Sequence, residues 1–557
     1  MGQTGQTSHA GHAGLGGSSL PALVQEALAG LAEGRADRQG PVPAGGPEGV
    51  ARALAPLLAP GALLPERPDP GALRTLTRAL AATAADPAHP ACSAHLHCPP
   101  LDVAVAAELA ASALNQSLDS WDQAPGGTEL EPAVLRELSR LVGFADPEGA
   151  GGVFTTGGTE SNLMGLLLAR DAVLTERYRV RRGEGIPAAA AGRLLVFCSA
   201  AAHFSFARAA AQLGLGSRAV RAVPTDAADR MIPAELERAL TEAEAEGDVP
   251  ICVAATAGTT DLGAVDPLPR IAEVARAHRV RLHVDAAYGG GALFSRRLSP
   301  LLNGLERADT VALDLHKLGW QPVAAGVFLA RMAATLAPLE QRAAYLNPAD
   351  DEEAGYTSLL GRSLRTTRRP DVFKLAVTLR SLGRAGLGAM VDRCHALACH
   401  AARRIAAEPR LELTAAPVLS TVVFRYLPSG ADGREYRTPA TPPSAAEAEA
   451  QARLTDRVNA ELRRRLLAGG RAVVGRTERG SGPGAVRLKL TLLNPSTTED
   501  ELDALIGLVV RAGETAEHAQ ADAQESEITS SGTGTSARTT AGTSAGTTAG
   551  TSKGALR

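Results

Sequence analysis

The chain has 557 residues, 45% of them hydrophobic and 21% charged, enough apolar material to bury a large core and to divide into more than one domain. Its 57 basic and 60 acidic residues leave a formal charge of −3, which gives no basic field for nucleic acid, and its apolar stretches are too short or too interrupted to span a bilayer. Six cysteines without a repeated Cys-x-x-Cys spacing argue against a disulfide framework or a zinc ribbon, so no metal is expected. The N-terminus has neither the basic nor the apolar region of a secretory signal, and a cytoplasmic enzyme is the expectation.

Residues 1–18 are rich in Gly, Ser and Thr and are expected to be disordered, and residues 19–124 read as mainly helical. A large domain is expected over 125–385. Short apolar runs at 193–198, 249–256, 281–285 and 310–314 alternate there with stretches of helical period, the signature of a mainly parallel sheet covered by helices. The run Phe-Thr-Thr-Gly-Gly-Thr-Glu-Ser-Asn-Leu (154–163) is a glycine-rich turn opening an amphipathic helix. A smaller α+β domain is predicted at 386–517, with strand-like alternation at 412–426 and 486–494 and a polar, proline-bearing loop at 427–448. Residues 518–557 end in Ala-Gly-Thr repeats and are expected to be a disordered tail.

The chemistry concentrates on two strand ends. Asp285 closes the run Arg-Leu-His-Val-Asp (281–285), and Lys317 follows the run Thr-Val-Ala-Leu-Asp (310–314). A lysine amine forms a Schiff base with an aldehyde, and a buried aspartate keeps a pyridine nitrogen protonated, so the pair meets both needs of pyridoxal 5'-phosphate. Around them, the amides near Gly157, Gly158 and Thr159 are placed to receive a phosphate at the positive end of a helix, although a Gly-Gly turn also serves simply to start one. His203 offers an imidazole to stack on a cofactor ring, or a cap or core residue. Thr256 ends a strand at the edge where sheet ligands gather, or is a turn residue. The combination says more than any of its parts.

On these stretches, and on His-Leu-His-Cys-Pro-Pro (95–100), Asn-Gln-Ser-Leu-Asp-Ser-Trp-Asp-Gln (115–123), Asp-Leu-His-Lys-Leu (314–318), Tyr-Leu-Asn-Pro (345–348) and Leu-Thr-Leu-Leu-Asn-Pro (490–495), the chain resembles the group II pyridoxal-phosphate-dependent amino acid decarboxylases over nearly all of residues 89–510. Within that family it looks most like the bacterial L-2,4-diaminobutyrate decarboxylases and the siderophore-pathway lysine decarboxylases. The resemblance implies the α/β fold of fold type I pyridoxal-phosphate enzymes, and a homodimer with its active sites at the subunit interface. It implies Lys317 as the Schiff-base lysine, Asp285 as the partner of the pyridine nitrogen, His203 as the stacking residue and Ala287 against the opposite ring face. Gly157, Gly158 and Thr159 would hold the phosphate, with Thr256 and His316 also in the cofactor site. Asp314 departs from the asparagine of several family branches.

The implied reaction is loss of CO2 from an L-amino acid to leave an amine. In the family a tyrosine on a mobile loop supplies the proton to Cα, and the polar segment 347–358 makes Tyr356 the candidate, with Tyr345 second. Where the aromatic branch carries a phenylalanine, this chain has Asp119, suited to a distal ammonium, so a diamino acid such as L-2,4-diaminobutyrate is expected; the alternative role of Asp119 is to cap a helix starting near Trp121. Decarboxylation of lysine, ornithine or an aromatic amino acid, another fold type I reaction such as transamination, and a non-catalytic scaffold are the competing readings.

Overall fold

Alternating and continuous apolar runs build the centre of the molecule, a seven-stranded sheet of β1 (Gly151–Thr155), β2 (Leu194–Ser199), β3 (Val220–Val223), β4 (Val249–Thr256), β5 (Arg281–Ala286), β6 (Thr310–Asp314) and β7 (Gly326–Ala330). This computed structural model describes residues 19–181, 183–429 and 444–532, the last nine of them in backbone only. The strand order is β1-β7-β6-β5-β4-β2-β3. Strands β2 to β6 pair in parallel, and β7 alone runs against its neighbours, antiparallel to both β6 and β1.

Among the described residues, α1 (Leu20–Ala36), α2 (Gly46–Leu58), α3 (Ala72–Thr83) and α4 (Asp102–Leu114) precede α5 (Pro125–Val142). The sheet is then wrapped by α5, α6 (Gly158–Tyr178), α7 (Ser205–Gln212), α8 (Pro233–Ala245) and α9 (Leu268–Ala277). Successive strand residues point to opposite faces. Leu282, Val284 and Ala286 of β5 therefore join Leu236 and Leu240 of α8 and Ile271 of α9 in one core, while Leu166 of α6 and Phe206 of α7 pack on Val196 and Ala254 on the other face. His283 and Asp285, in the alternate positions, face α6 and α7, and that places a carboxylate at the end of a central parallel strand.

After the short α10 (Ala349–Glu353), α11 (Val372–Ala407) leads to a four-stranded antiparallel sheet ordered β10-β11-β9-β8. Its strands are β8 (Leu411–Leu413), β9 (Thr421–Tyr426), β10 (Gly475–Glu478) and β11 (Val486–Thr491), covered by α12 (Ala445–Ala468) and α13 (Glu499–Gly532). The two sheets are joined through Tyr288, whose hydroxyl lies 2.8 Å from Ser420 Oγ and 2.9 Å from Thr421 Oγ1.

Two boundaries differ from the sequence reading. The segment 427–448 gives way to helix by Ala445, where Ser444 and Glu447 form a reciprocal capping box; residues 430–443 lie outside the described residues. The chain also does not leave the fold at 518. Helix α13 continues to Gly532, because Ala, Glu and Gln dominate that stretch and because Glu517 is anchored by Arg410, by the Tyr426 hydroxyl at 3.0 Å and by the Ser429 amide at 2.7 Å. Residues 1–18 and 533–557, read as disordered, lie outside the described residues. No helix among the described residues is long and apolar enough to cross a membrane.

Candidate active site

The loops after β1, β4, β5 and β6 open on one edge of the large sheet, and a cleft of about 410 Å³ lies between them. Lining it are Gly157, Gly158, Thr159, His203, Thr256, Asp285, Ala287, His316 and Lys317, the cofactor-site residues singled out in the sequence, together with Asn162, Asp314 and Tyr288. The turn that carries Lys317 is tightly wound: its amide bonds back to the Asp314 carbonyl at 3.2 Å and the Gln321 amide to the Leu315 carbonyl at 3.0 Å. From that turn Lys317 Nζ reaches 2.9 Å from Asp314 Oδ2, a carboxylate only 3% exposed. The amine is thus held at the cavity wall by a charge-assisted hydrogen bond.

Asp285 accepts on both oxygens, from the Ala287 amide at 3.0 Å on Oδ1 and from Asn162 Nδ2 at 2.8 Å on Oδ2. An acceptor-only group aimed at the cavity suits a ligand nitrogen that bears a hydrogen, as a protonated pyridine does. His203 lies beside it, with Nδ1 3.3 Å from the Ser205 amide, and burial holds its imidazole below the usual range and so uncharged. The His316 ring is likewise pushed down, chiefly by burial; its Nδ1 takes the Ala325 amide at 3.3 Å, which leaves Nε2, 3.5 Å from Asp314 Oδ2, to carry the hydrogen.

Helix α6 begins at this same edge, with its unpaired first-turn amides toward the cleft. A glycine is needed there: a Cβ on Gly158 would stand 2.9 Å from the Ala287 Cβ and 3.2 Å from Asp314 Oδ2. Thr256 Oγ1 is buried and, among the described residues, has no hydrogen-bond partner. The strand end that carries it is fixed from behind by Asp266, whose carboxylate takes the amides of Thr256 and Met231, each at 2.7 Å. A phosphate cradle, an orphan hydroxyl, an acceptor-only carboxylate and a lysine amine on one cavity wall fit pyridoxal phosphate group by group.

The structure does not bring Asp119 or Tyr356 to this cavity. Neither lines it: Asp119, expected to meet a substrate ammonium, and Tyr356, expected to supply the proton, lie outside the cleft as one chain forms it. Leu118 donates to the Arg368 carbonyl at 2.8 Å, which ties the turn 117–123 to the segment before α11. The capping alternative also falls, since no helix starts at Trp121 and α5 begins at Pro125. Asp119 is buried with Oδ1 unpartnered among the described residues. Trp121, two residues on, meets Tyr356 edge to face at 5.0 Å. Tyr356 is half exposed, and Tyr345 is 84% exposed and off the cavity as well.

Sequence reasoning passed over Asn162, His283 and Ser205. Asn162 sits one turn into α6, where a polar residue in an apolar helix reads as a solvent-facing position, and its partners are remote in sequence. The available signal was its spacing, which puts it on the apolar face of the helix, toward the sheet.

Residues 64–427 match the pyridoxal-dependent decarboxylase conserved domain. The chain is 43% identical over 428 residues to an L-2,4-diaminobutyrate decarboxylase of Rhizobium meliloti (strain 1021), covering 77% of this chain and 78% of that one. It is 38% identical over 433 residues to the protein of the same name from Acinetobacter baumannii, covering 76% and 80%. Its fold superimposes with a TM-score of 0.75 and 31% identity on the glutamate decarboxylase domain of diaminobutyrate-pyruvate transaminase and L-2,4-diaminobutyrate decarboxylase from Vibrio parahaemolyticus, covering 91% of this chain and 98% of that one.

Proposed function

The chain belongs to the pyridoxal-dependent decarboxylase family, and we propose that its substrate is a diamino acid, L-2,4-diaminobutyrate before others, with Lys317, Asp285 and His203 as the residues that hold and use the cofactor. The activity is decarboxylation of an amino acid to an amine and CO2. The observation that carries the assignment of roles is the meeting of Lys317, Asp285 and His203 in one cavity at the strand ends. When bound, pyridoxal phosphate supplies an electron sink for the pair of electrons left at Cα as CO2 departs.

The protein's own groups do the rest. Lys317 Nζ is the amine that would hold the cofactor's aldehyde. Asp285, with two hydrogen-bond donors already on its oxygens, keeps its remaining lone pairs for the ring nitrogen and holds a proton there. His203 and Ala287 would hold the ring, and the first turn of α6, with Thr159, would take the phosphate. The Tyr356 hydroxyl delivers the proton to Cα.

We read the protein as a cytoplasmic homodimer that places Asp119 and Tyr356 in the partner's cavity. Three observations support this. Neither Asp119 nor Tyr356 lines its own chain's cleft, and Tyr356 packs on Trp121, two residues from Asp119. Leu28, Leu58, Leu63, Leu64 and Leu80 are exposed on the N-terminal helices and their connections, an apolar surface suited to a second copy. All six cysteines are free, as in a reducing compartment.

Asp119→Asn tests both the substrate and the arrangement. A desolvated charge-assisted hydrogen bond to a distal ammonium contributes about 1.5–3 kcal/mol, so the substitution should lower kcat/KM for 2,4-diaminobutyrate by about ten- to a hundredfold. If Asp119 acts across the dimer, re-associating equal amounts of Asp119→Asn and Lys317→Ala chains should restore about a quarter of wild-type activity, because half of the dimers are mixed and each of those has one intact site. Unchanged kinetics in Asp119→Asn would remove Asp119 from substrate recognition. No recovery on mixing would remove the shared site.

A further inference from the structure

Beneath Asp285 the Asn162 contact continues into a buried chain of hydrogen bonds whose remaining members have been given no part so far. Asn162 Nδ2 gives one hydrogen to Asp285 Oδ2 at 2.8 Å and the other to Ser205 Oγ at 2.9 Å. Its Oδ1 lies 2.9 Å from His283 Nε2, and His283 Nδ1 lies 2.9 Å from Thr310 Oγ1. All of these residues are buried. The ring of His283 sits between Phe206, edge-on at 6.0 Å, and Phe328, near-parallel at 6.4 Å. A place has been cleared for it, since a Cβ on Gly165 would stand 2.6 Å from Nδ1.

The polarity of the chain follows from which groups can donate. Asp285 is a carboxylate and only accepts, so the Asn162 amide must turn its nitrogen that way; turned over, it would set Oδ1 against Oδ2. Oδ1 then faces His283, and Nε2 must carry the hydrogen. His283 is kept uncharged by burial, which pushes its pKa well down, so it has one hydrogen only, and Nδ1 accepts from the Thr310 hydroxyl. With its one hydrogen on Nε2, the uncharged histidine holds the amide in that direction and adds no second positive charge that would compete with a ring cation for Asp285.

We infer that Asn162 is a positioning residue for Asp285, its amide locked in the donating orientation by the Nε2–H tautomer of His283, so that Asp285 meets the cofactor ring nitrogen as an oriented carboxylate. The inference rests on the cofactor reading above and adds to it the device that sets Asp285. The other charged or titratable groups facing Asp285 are His203, which precedes α7, and Lys317 and Asp314 at the end of β6. None of them touches Asp285 in the hydrogen bonds of the structure, whereas Asn162 does.

The test begins on the apoprotein, without cofactor. Nitrogen-15 NMR of labelled histidine, with the His283 signals assigned by their loss in His283→Gln, should show a hydrogen on Nε2 and a bare Nδ1; a hydrogen on Nδ1 would overturn the inference. Titration of apoprotein with pyridoxal phosphate then follows two variants. Asn162→Asp has the same shape but sets an acceptor against Asp285, and should weaken cofactor Kd about 10–100-fold at pH 8, the cost of exchanging a charge-assisted bond for repulsion. Affinity and the absorption band of the bound cofactor should recover as pH falls and a proton is shared between the two carboxylates. Asn162→Ala should weaken binding without that recovery. Wild-type affinity and absorption in Asn162→Asp across pH 6–9 would contradict the proposal, as would equal losses with no pH recovery in both variants. If neither variant folds, the tautomer in the wild-type protein decides. A wild-type apoprotein that shows the expected tautomer and yet binds no pyridoxal phosphate would mean that the cofactor reading has failed and the network has not.

Discussion

Lys317→Ala should fold, take up cofactor without covalent attachment, and lose decarboxylation by on the order of 10⁴-fold or more, as when an enzyme loses the group that makes its covalent link. The structure gives this variant a second effect. Asp314 Oδ2 pairs with Lys317 at 2.9 Å, and Oδ1 has no partner among the described residues, so the alanine leaves a buried carboxylate with only the uncharged His316 ring, 3.5 Å away, beside it. A loss of about 1–3 kcal/mol in stability should follow. Lys317→Arg separates the two effects, because it keeps the charge beside Asp314 and most of the stability while remaining inactive. Borohydride reduction of the wild-type holoenzyme, followed by peptide mapping, should label Lys317; a label on another lysine, or on none, would remove Lys317 from the reaction.

The largest effect on stability should come from Glu131→Ala. Glu131 and Arg368 are almost wholly buried and meet at 2.7 Å, with side chains 1% and 2% exposed. Through them α5 is tied to two other segments. The Phe154 amide of β1 reaches Glu131 Oε1 at 3.4 Å, and the turn before α5 donates to the Arg368 carbonyl. Removing the carboxylate strands a guanidinium whose Nη2 already lacks a partner among the described residues. Breaking one side of such a pair costs about 3–5 kcal/mol, and replacing both sides by apolar residues costs much less. Thermal unfolding of Glu131→Ala should therefore shift down by roughly 3–5 °C, with much of the loss recovered in Glu131→Leu/Arg368→Met. Cofactor affinity should fall along with it, since β1 leads directly into Gly157 and Gly158. A shift under about 2 °C would mean that the pair is not the tie described.

The sheet is legible in the sequence where strands are buried on both faces. The runs at 249–256, 281–285 and 310–314 are continuous or nearly so in apolar residues, and they coincide with β4, β5 and β6 to within a residue. Strands β1 and β7 do not show themselves. Gly-Gly-Val-Phe-Thr and Gly-Val-Phe-Leu-Ala are short and begin on glycine, and what makes them strands is their pairing with each other across 171 to 179 residues of chain, from the Thr155–Gly326 to the Gly151–Ala330 pair. The C-terminal limit of the fold was missed because helix propensity in 518–532 was outweighed by the low-complexity composition that follows.

For the site, the strand-end residues and the glycine turn are legible because their chemistry and their place on the sheet edge agree. Asp119 is not. A carboxylate in a turn has no periodicity to place it, and its position is set by the Leu118–Arg368 hydrogen bond, far away in sequence. Asn162 and His283 are hidden for a different reason: a polar residue inside an apolar pattern declares only that it must find a partner, not which one.

Product analysis tests most directly whether this cavity removes CO2 from a diamino acid. Purified protein with pyridoxal phosphate should be offered L-2,4-diaminobutyrate, ornithine, lysine, tyrosine, DOPA and glutamate, and both the gas and the amine measured. The expected result is CO2 and 1,3-diaminopropane in equal amounts from L-2,4-diaminobutyrate, at a kcat/KM above that for the other five. A keto acid formed without CO2, or a preference for tyrosine or DOPA, would contradict it.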